Sequence, residues 1–283
     1  MNKVKILVAT HKPNLVYHDD VYTPIHVGKA ISKYEMGWQG DNTGDNISEK
    51  NPMYCEMTAH YWAWKNLKDV NYIGLCHYQR YFETKITNDN IEELLNGVDV
   101  ILPSAIYFST AVEYNFRLLA KEDCFIFFKV IEEFFPEYYE TAVDYILNNN
   151  REYAFNMLIC SRVIYDQIMQ FVFAMLFKTE KYIMQQPYTD GKRIYGYFSE
   201  FLIPIYCLKH KLRIKEMPVI QMLEKVPVKY VVNKPNLFHR CVCNFRSLIY
   251  SPHKRKYYNV SPSLISCMKL DGILDEKGHL IIR

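Results

Sequence analysis

The sequence predicts an α/β protein built on a mainly parallel central sheet. Short apolar runs of strand length recur at residues 5–9, 24–27, 72–76, 98–102, 154–160 and 212–216. Longer stretches with helical spacing lie between them, as in a sheet with helical crossovers. The run at 72–76 ends abruptly in His77, Tyr78, Gln79 and Arg80. Open α/β sheets place polar side chains at a ligand crevice in this way, at the carboxyl ends of buried strands.

Taken in order, residues 5–9 read as a buried strand, with the polar turn Thr10-His11-Lys12-Pro13 at its carboxyl end. Residues 24–27 give a second short strand. The loop 40–48 carries Asp41, Asn42, Asp45, Asn46 and Ser48. These are ordinary turn formers, but the loop runs into a helix start whose backbone amides could equally face a phosphate or ribose. Asn51-Pro52 supplies a cap and a first helical residue. The helix is expected to reach residue 67, with Met53, Met57, Tyr61 and Trp64 on its core face. After the strand at 72–76, an extended continuation would put His77, Gln79 and Tyr81 on one face and Tyr78, Arg80 and Phe82 on the other. Residues 111–150 read as helical with a break at Pro136. An apolar helix is expected at 162–177, a polar loop at 180–195 and a helix at 199–209. No internal repeat is present.

The 283 residues suit one domain over 1–224 and a basic appendage over 225–283. A hydrophobic fraction of 49% excludes wholesale disorder. Among 24 Tyr and 16 Phe, most rings are expected in the core, while exposed tyrosines suit sugars and bases. The net charge of +3 gives no reason to expect a nucleic-acid partner. Residues 225–283 hold eleven Lys/Arg and three Asp/Glu, so the rest of the chain is net acidic and the tail suits an anionic surface. Within the tail, Phe238, Val242, Phe245 and Ile249 share one helical face, with Arg240 and Arg246 off it and His253-Lys254-Arg255-Lys256 following. Such a helix either lies in a membrane interface or packs on the domain. Eight scattered cysteines without a CxxC pair read as free thiols in a reducing compartment. The first apolar run is too short for a signal peptide, and no run approaches a membrane span. The expected location is cytoplasmic, peripheral on the inner face of the cell membrane.

No phosphate-binding glycine loop, HExxH or GxSxG motif is present. Glu56 and His60 lie four apart on one helix, which is a weak metal signal, and a solvated pair is the alternative. A buried Arg80 needs an anion. Either a core carboxylate or a fixed diphosphate would serve. Glu200 falls at the expected start of a helix, where it is either a capping carboxylate or a general base, with Asp190 as the next candidate base.

Several segments together resemble a bacterial family of capsular and exopolysaccharide loci that includes galactosyl- and galactofuranosyl-type glycosyltransferases and was labelled a domain of unknown function. They are ATHK at 9–12, PIHVG at 24–28, the loop and helix from Gly40 to Asn66, YIGLCHYQRYF at 72–82, DVILP at 99–103, Phe155-Asn156-Met157 and GYFSE at 196–200. The resemblance implies a GT-A-like nucleotide-sugar-binding sandwich. It implies transfer of a hexose, galactopyranose or galactofuranose, from a UDP-sugar to a lipid-linked oligosaccharide acceptor. By the same resemblance, inversion with Glu200 as base is expected, and UDP leaves towards Arg80 and His77. Thr10, His11, Lys12, Asp45, Asn46, Tyr78, Asn156 and Gly196 are expected to hold the donor. Such enzymes usually carry an Asp-x-Asp metal motif after the strand that here reads YIGLC. His77-Tyr78-Gln79 stands there instead, so no metal cofactor is expected. The rival readings are a nucleotide-sugar hydrolase or phosphotransferase, and a non-catalytic glycan- or nucleotide-binding protein.

Overall fold

The structure is a computed structural model that describes residues 3–113, 119–185, 188–189, 191–223, 226–232 and 236–282. The strands are β1 (Val4–Thr10), β2 (Tyr22–His26), β3 (Gln39–Gly40), β4 (Tyr72–His77), β5 (Arg80–Phe82), β6 (Val100–Pro103), β7 (Ile106–Tyr107), β8 (Arg151–Glu152), β9 (Leu158–Ser161), β10 (Ile214–Met217), β11 (Val219–Leu223) and β12 (Val226–Val232). The helices are α1 (Asn51–Tyr54), α2 (Met57–Asn66), α3 (Ile91–Leu94), α4 (Lys121–Phe134), α5 (Pro136–Leu147), α6 (Arg162–Glu180), α7 (Ile194–Lys209), α8 (Leu237–Tyr250) and α9 (Pro262–Leu270).

The main sheet runs β10-β6-β9-β4-β1-β2-β3. Its neighbours pair in parallel, except that β9 runs antiparallel to both β4 and β6. This is the expected α/β class with a mainly parallel sheet. β1 and β4 read as near-continuous apolar runs because both faces of the sheet are covered. Alternation along β1 sends Leu7 and Ala9 into the core on one face, and Val4, Ile6 and Val8 into the core on the other. Gly74 allows β9 to approach β4, since a Cβ there would meet Ile6, Ile159 and the Leu158 carbonyl at 2.8 Å.

Four local expectations are corrected, and each correction shapes the site. The helix expected from 51 to 67 is broken at Cys55, which takes φ 52° and ψ −133°. The break is held by Asn51, whose amide nitrogen donates to the Cys55 carbonyl at 2.7 Å and to Thr58 Oγ1 at 3.1 Å. The chain does not stay extended through 77–82. It turns at Tyr78-Gln79, and β5 returns antiparallel so that His77 and Arg80 are cross-strand partners. Residues 154–157 are not strand either: Phe155 and Asn156 take φ 79° and 51° ahead of β9. The helix expected at 199–209 already begins at Ile194.

The tail is tied to the body. The expected boundary at 224/225 falls in the connection of the β11–β12 hairpin, and residues 224 and 225 themselves lie outside the described residues. β11 pairs with β5 as well. Farther on, Met268, Ile273, Leu274 and Leu280 are buried in the same core cluster as α4 to α7, and the Leu280 amide donates to Glu133 at 2.9 Å. No described helix is long and apolar enough to cross a membrane.

Candidate functional site

A cavity of about 560 Å³ opens at the carboxyl ends of β1 and β4. Sheet geometry alone places a crevice there, because parallel strands end together and their connections diverge. Its wall combines His11 after β1, the His77-Tyr78-Gln79-Arg80 hairpin, Cys55 and Glu56 at the α1–α2 break, Phe155, and Arg193, Gly196, Tyr197 and Glu200 of the α7 end.

The polar groups are tightly arranged. His77 Nε2 donates to the Phe155 carbonyl at 2.8 Å. A carbonyl can only accept, so the ring carries its proton on Nε2 and leaves Nδ1 for other partners. Glu56 Oε1 stands 4.0 Å from His77 Nε2 and accepts from Asn156 Nδ2 at 2.7 Å. Asn156 Nδ2 also donates to the Gly196 carbonyl at 2.9 Å. One buried amide thereby ties α7 to the α1–α2 break. Gly196 permits that approach, since a Cβ on it would lie 3.0 Å from Cys55 Sγ.

Glu200 is held well above the usual carboxylate range. Burial is the largest cause, followed by the negative charges of Glu56 and Glu152. A hydrogen bond from the Phe155 backbone and the charge of Arg80 oppose the shift. Arg80 stacks over the Phe155 ring at 4.7 Å and makes no salt bridge among the described residues, so of its two candidate partners the core carboxylate is not seen. Burial lowers the His11 pKa, and Lys12, Arg193 and His77 add to the shift. The His11 ring stands edge-on to Tyr78, with centroids 5.5 Å apart. Arg80 and Arg193 thus bring positive charge to the cavity wall, and Lys12 acts on His11 from outside the lining. Burial pushes the Cys55 thiol up to about 12, which makes it a poor nucleophile at neutral pH.

Six of the sequence-predicted residues line this cavity: His11, His77, Tyr78, Arg80, Gly196 and Glu200. Asn156 lies behind the wall as the tie just described. Thr10 is fully buried, and its hydroxyl donates to the Val8 carbonyl at 3.2 Å. Lys12 is outside the lining but close enough to act on His11. Asp45 and Asn46 are away from the cavity. Asp45 accepts from the Tyr61 hydroxyl at 3.0 Å, and Asn46 bridges Gly44 and Ser48. The 40–48 loop therefore serves as a turn. Its buried Asp41 accepts from the Gly28 and Lys29 amides and from the Ser48 hydroxyl. The Glu56–His60 pair is split. His60 is enclosed between the Tyr165 hydroxyl and the Asn156 carbonyl, and burial lowers its pKa to about 4. Among the described residues no group of three or more His, Cys, Asp and Glu side chains could hold a metal ion. Asp190 lies outside the described residues.

Sequence reasoning did not assign Glu56 or Arg193 to the site. Glu56 was visible only as half of a metal pair, because the break at Cys55 that turns it into the cavity has no Gly or Pro to announce it.

Residues 5–211 match the family model described as "Domain of unknown function (DUF4422)". The chain belongs to the DUF4422 family. Among solved structures, this DUF4422 chain resembles the apo structure of the WbbM bifunctional glycosyltransferase, with a TM-score of 0.71 at 30% sequence identity. The match covers 83% of this chain and 47% of the WbbM chain, so the protein spans about half the length of that relative. No protein with a curated description matches it.

Proposed function

We propose that this DUF4422 chain is a glycosyltransferase of GT-A-like type. It moves a hexose, galactopyranose or galactofuranose, from a UDP-sugar to a lipid-linked surface glycan in capsular or exopolysaccharide synthesis at the cytoplasmic face of the membrane. One observation carries the reading: a single cavity at the strand ends is lined by both a carboxylate with raised proton affinity, Glu200, and two arginines, Arg80 and Arg193. The likeness to WbbM supports the same class.

In the proposed reaction the acceptor hydroxyl oxygen attacks the anomeric carbon in line as the bond to the β-phosphate oxygen breaks. One displacement inverts the anomeric centre. Glu200 takes the hydroxyl proton. Its raised pKa suits this role, because greater proton affinity makes the ionised carboxylate a stronger base. UDP departs with the bonding electron pair, and Arg80 and Arg193 face its growing charge. Glu56 keeps Glu200 basic by like-charge repulsion. The proposed reaction is metal-free, with fixed cations in place of the metal that an Asp-x-Asp motif would hold.

The test is UDP release from a panel of UDP-sugars with and without a glycan acceptor. Release should depend on acceptor and persist in EDTA. Arg80→Ala should lose about 10²–10³-fold in kcat, the scale of one lost oxyanion contact. Release that ignores acceptor would instead support a nucleotide-sugar hydrolase, and loss in EDTA with rescue by Mn²⁺ would overturn the metal-free chemistry.

A further inference from the structure

Helix α8 turns its apolar side outward. Only Cys243 is buried along it. Cys243 Sγ meets the Tyr107 carbonyl at 3.5 Å, Arg240 lies over the Tyr107 ring at 5.0 Å, and Asn244 Oδ1 accepts from Asn150 at 3.1 Å. These three residues form one narrow stripe against the body. On the opposite side Leu237, Phe238, Phe245, Leu248 and Ile249 are 56–79% exposed. Their spacing of three, four and seven puts them on one continuous face. A helix packed simply as scaffold would show the reverse, with its apolar face inward.

The charged residues of the segment that carries this face are all basic. Residues 225–270 contain no Asp or Glu. Arg246, Lys254 and Lys256 are exposed. Arg255 is not available, because it pairs with Glu113 and donates to the Leu147 carbonyl. A two-fold contact between copies would set these cations against each other with no carboxylate between them. A bilayer with anionic headgroups satisfies both halves of the pattern: it takes the aromatic and aliphatic side chains at the acyl boundary and attracts the basic flanks.

We propose that α8 is a membrane-interface helix that docks the protein on anionic lipid through Phe238, Phe245, Leu248 and Ile249, with Lys254 and Lys256 at the headgroups. This does not depend on the transfer reaction, since vesicle binding requires no substrate.

The experiment is co-sedimentation of the full chain with phosphatidylcholine vesicles, with and without phosphatidylglycerol. Binding should require phosphatidylglycerol and weaken as salt rises, because exposed charges are screened beyond ~10 Å at 0.1 M. Phe245→Ser with Leu248→Ser should abolish it. Lys254→Ser with Lys256→Ser should weaken it about 30-fold, from ~1 kcal/mol per basic side chain near such a surface. The outward side chains do not enter the core, so both variants should keep the parent melting curve, which separates lost binding from lost fold. Binding to neither vesicle, or equally to both, would overturn the proposal. So would a concentration-dependent dimer that Phe245→Ser dissolves, because a second copy would then cover the face.

Discussion

Glu200 meets two opposite demands at the scale of one residue. Its folded pKa is raised above the unfolded value, so between the two the native state holds a proton that the unfolded chain has released. Stability from this group is therefore present at low pH and falls as pH rises through the folded value. Above its folded pKa an ionised Glu200 weakens the fold while serving as the proposed base. Glu200→Gln should reduce transfer by roughly 10²–10⁴-fold yet leave the melting temperature at neutral pH equal or higher, with the difference vanishing in acid. The rate of the parent protein should fall on its acid side through a pKa above the ordinary carboxylate range. Glu56→Gln removes a negative neighbour and should move that limb to lower pH. A limb that stays put in Glu56→Gln would show that the two carboxylates are not coupled. Glu200 itself was legible in the sequence as a carboxylate at an expected helix start, although α7 begins six residues earlier, at Ile194. Its environment was not, because Glu56 and Glu152 reach it from segments far away in the chain.

At the scale of elements, periodicity located six of the seven strands of the main sheet and missed the β11–β12 hairpin and the turns that shape the site. β1, β4, β6 and β10 follow from short apolar runs bounded by polar residues. The breaks at Cys55 and at Phe155-Asn156 do not, because non-glycine residues hold positive φ there. Tertiary contacts impose that geometry: Asn51 stitches the first, and the His77 and His60 rings anchor the two carbonyls of the second. The Tyr78-Gln79 turn was hidden for a related reason, since neither residue is a strong turn former, and β11 is needed to hold β5 in place. Cys55 offers the test. A non-glycine residue in that region costs of order 1–3 kcal/mol, while glycine loses about 0.5–1 kcal/mol through chain entropy. Cys55→Gly should therefore match or exceed the parent in denaturant stability and leave the site intact. Cys55→Val, β-branched and unable to take that conformation cheaply, should be clearly less stable. Equal stability of the two variants would mean that the break is not strained.

At the scale of the molecule, composition marks a basic appendage from residue 225, and its last turns pack on the body of the domain. The basic tail differs from the rest in charge, yet charge reports on partners and not on where a core ends. β12 continues the sheet through β11, and the last turns return to α4, where Leu274 is 2% and Leu280 5% exposed. A tail that shares the core should melt with it. Leu274→Ala removes buried methyl groups and leaves a cavity, a change that costs about 2–5 kcal/mol where the surroundings cannot collapse. The loss should appear in the transition of the whole protein, with far-ultraviolet circular dichroism and tyrosine fluorescence moving together, since coincident probes mark one cooperative unit. Leu248→Ser on the outward face of α8 should leave that transition where it was. Should Leu274→Ala instead split the melt, an early minor step preceding an unchanged major one, the tail would be a separate unit. The interface helix would then be carried on a hinge rather than on the body that holds the cavity.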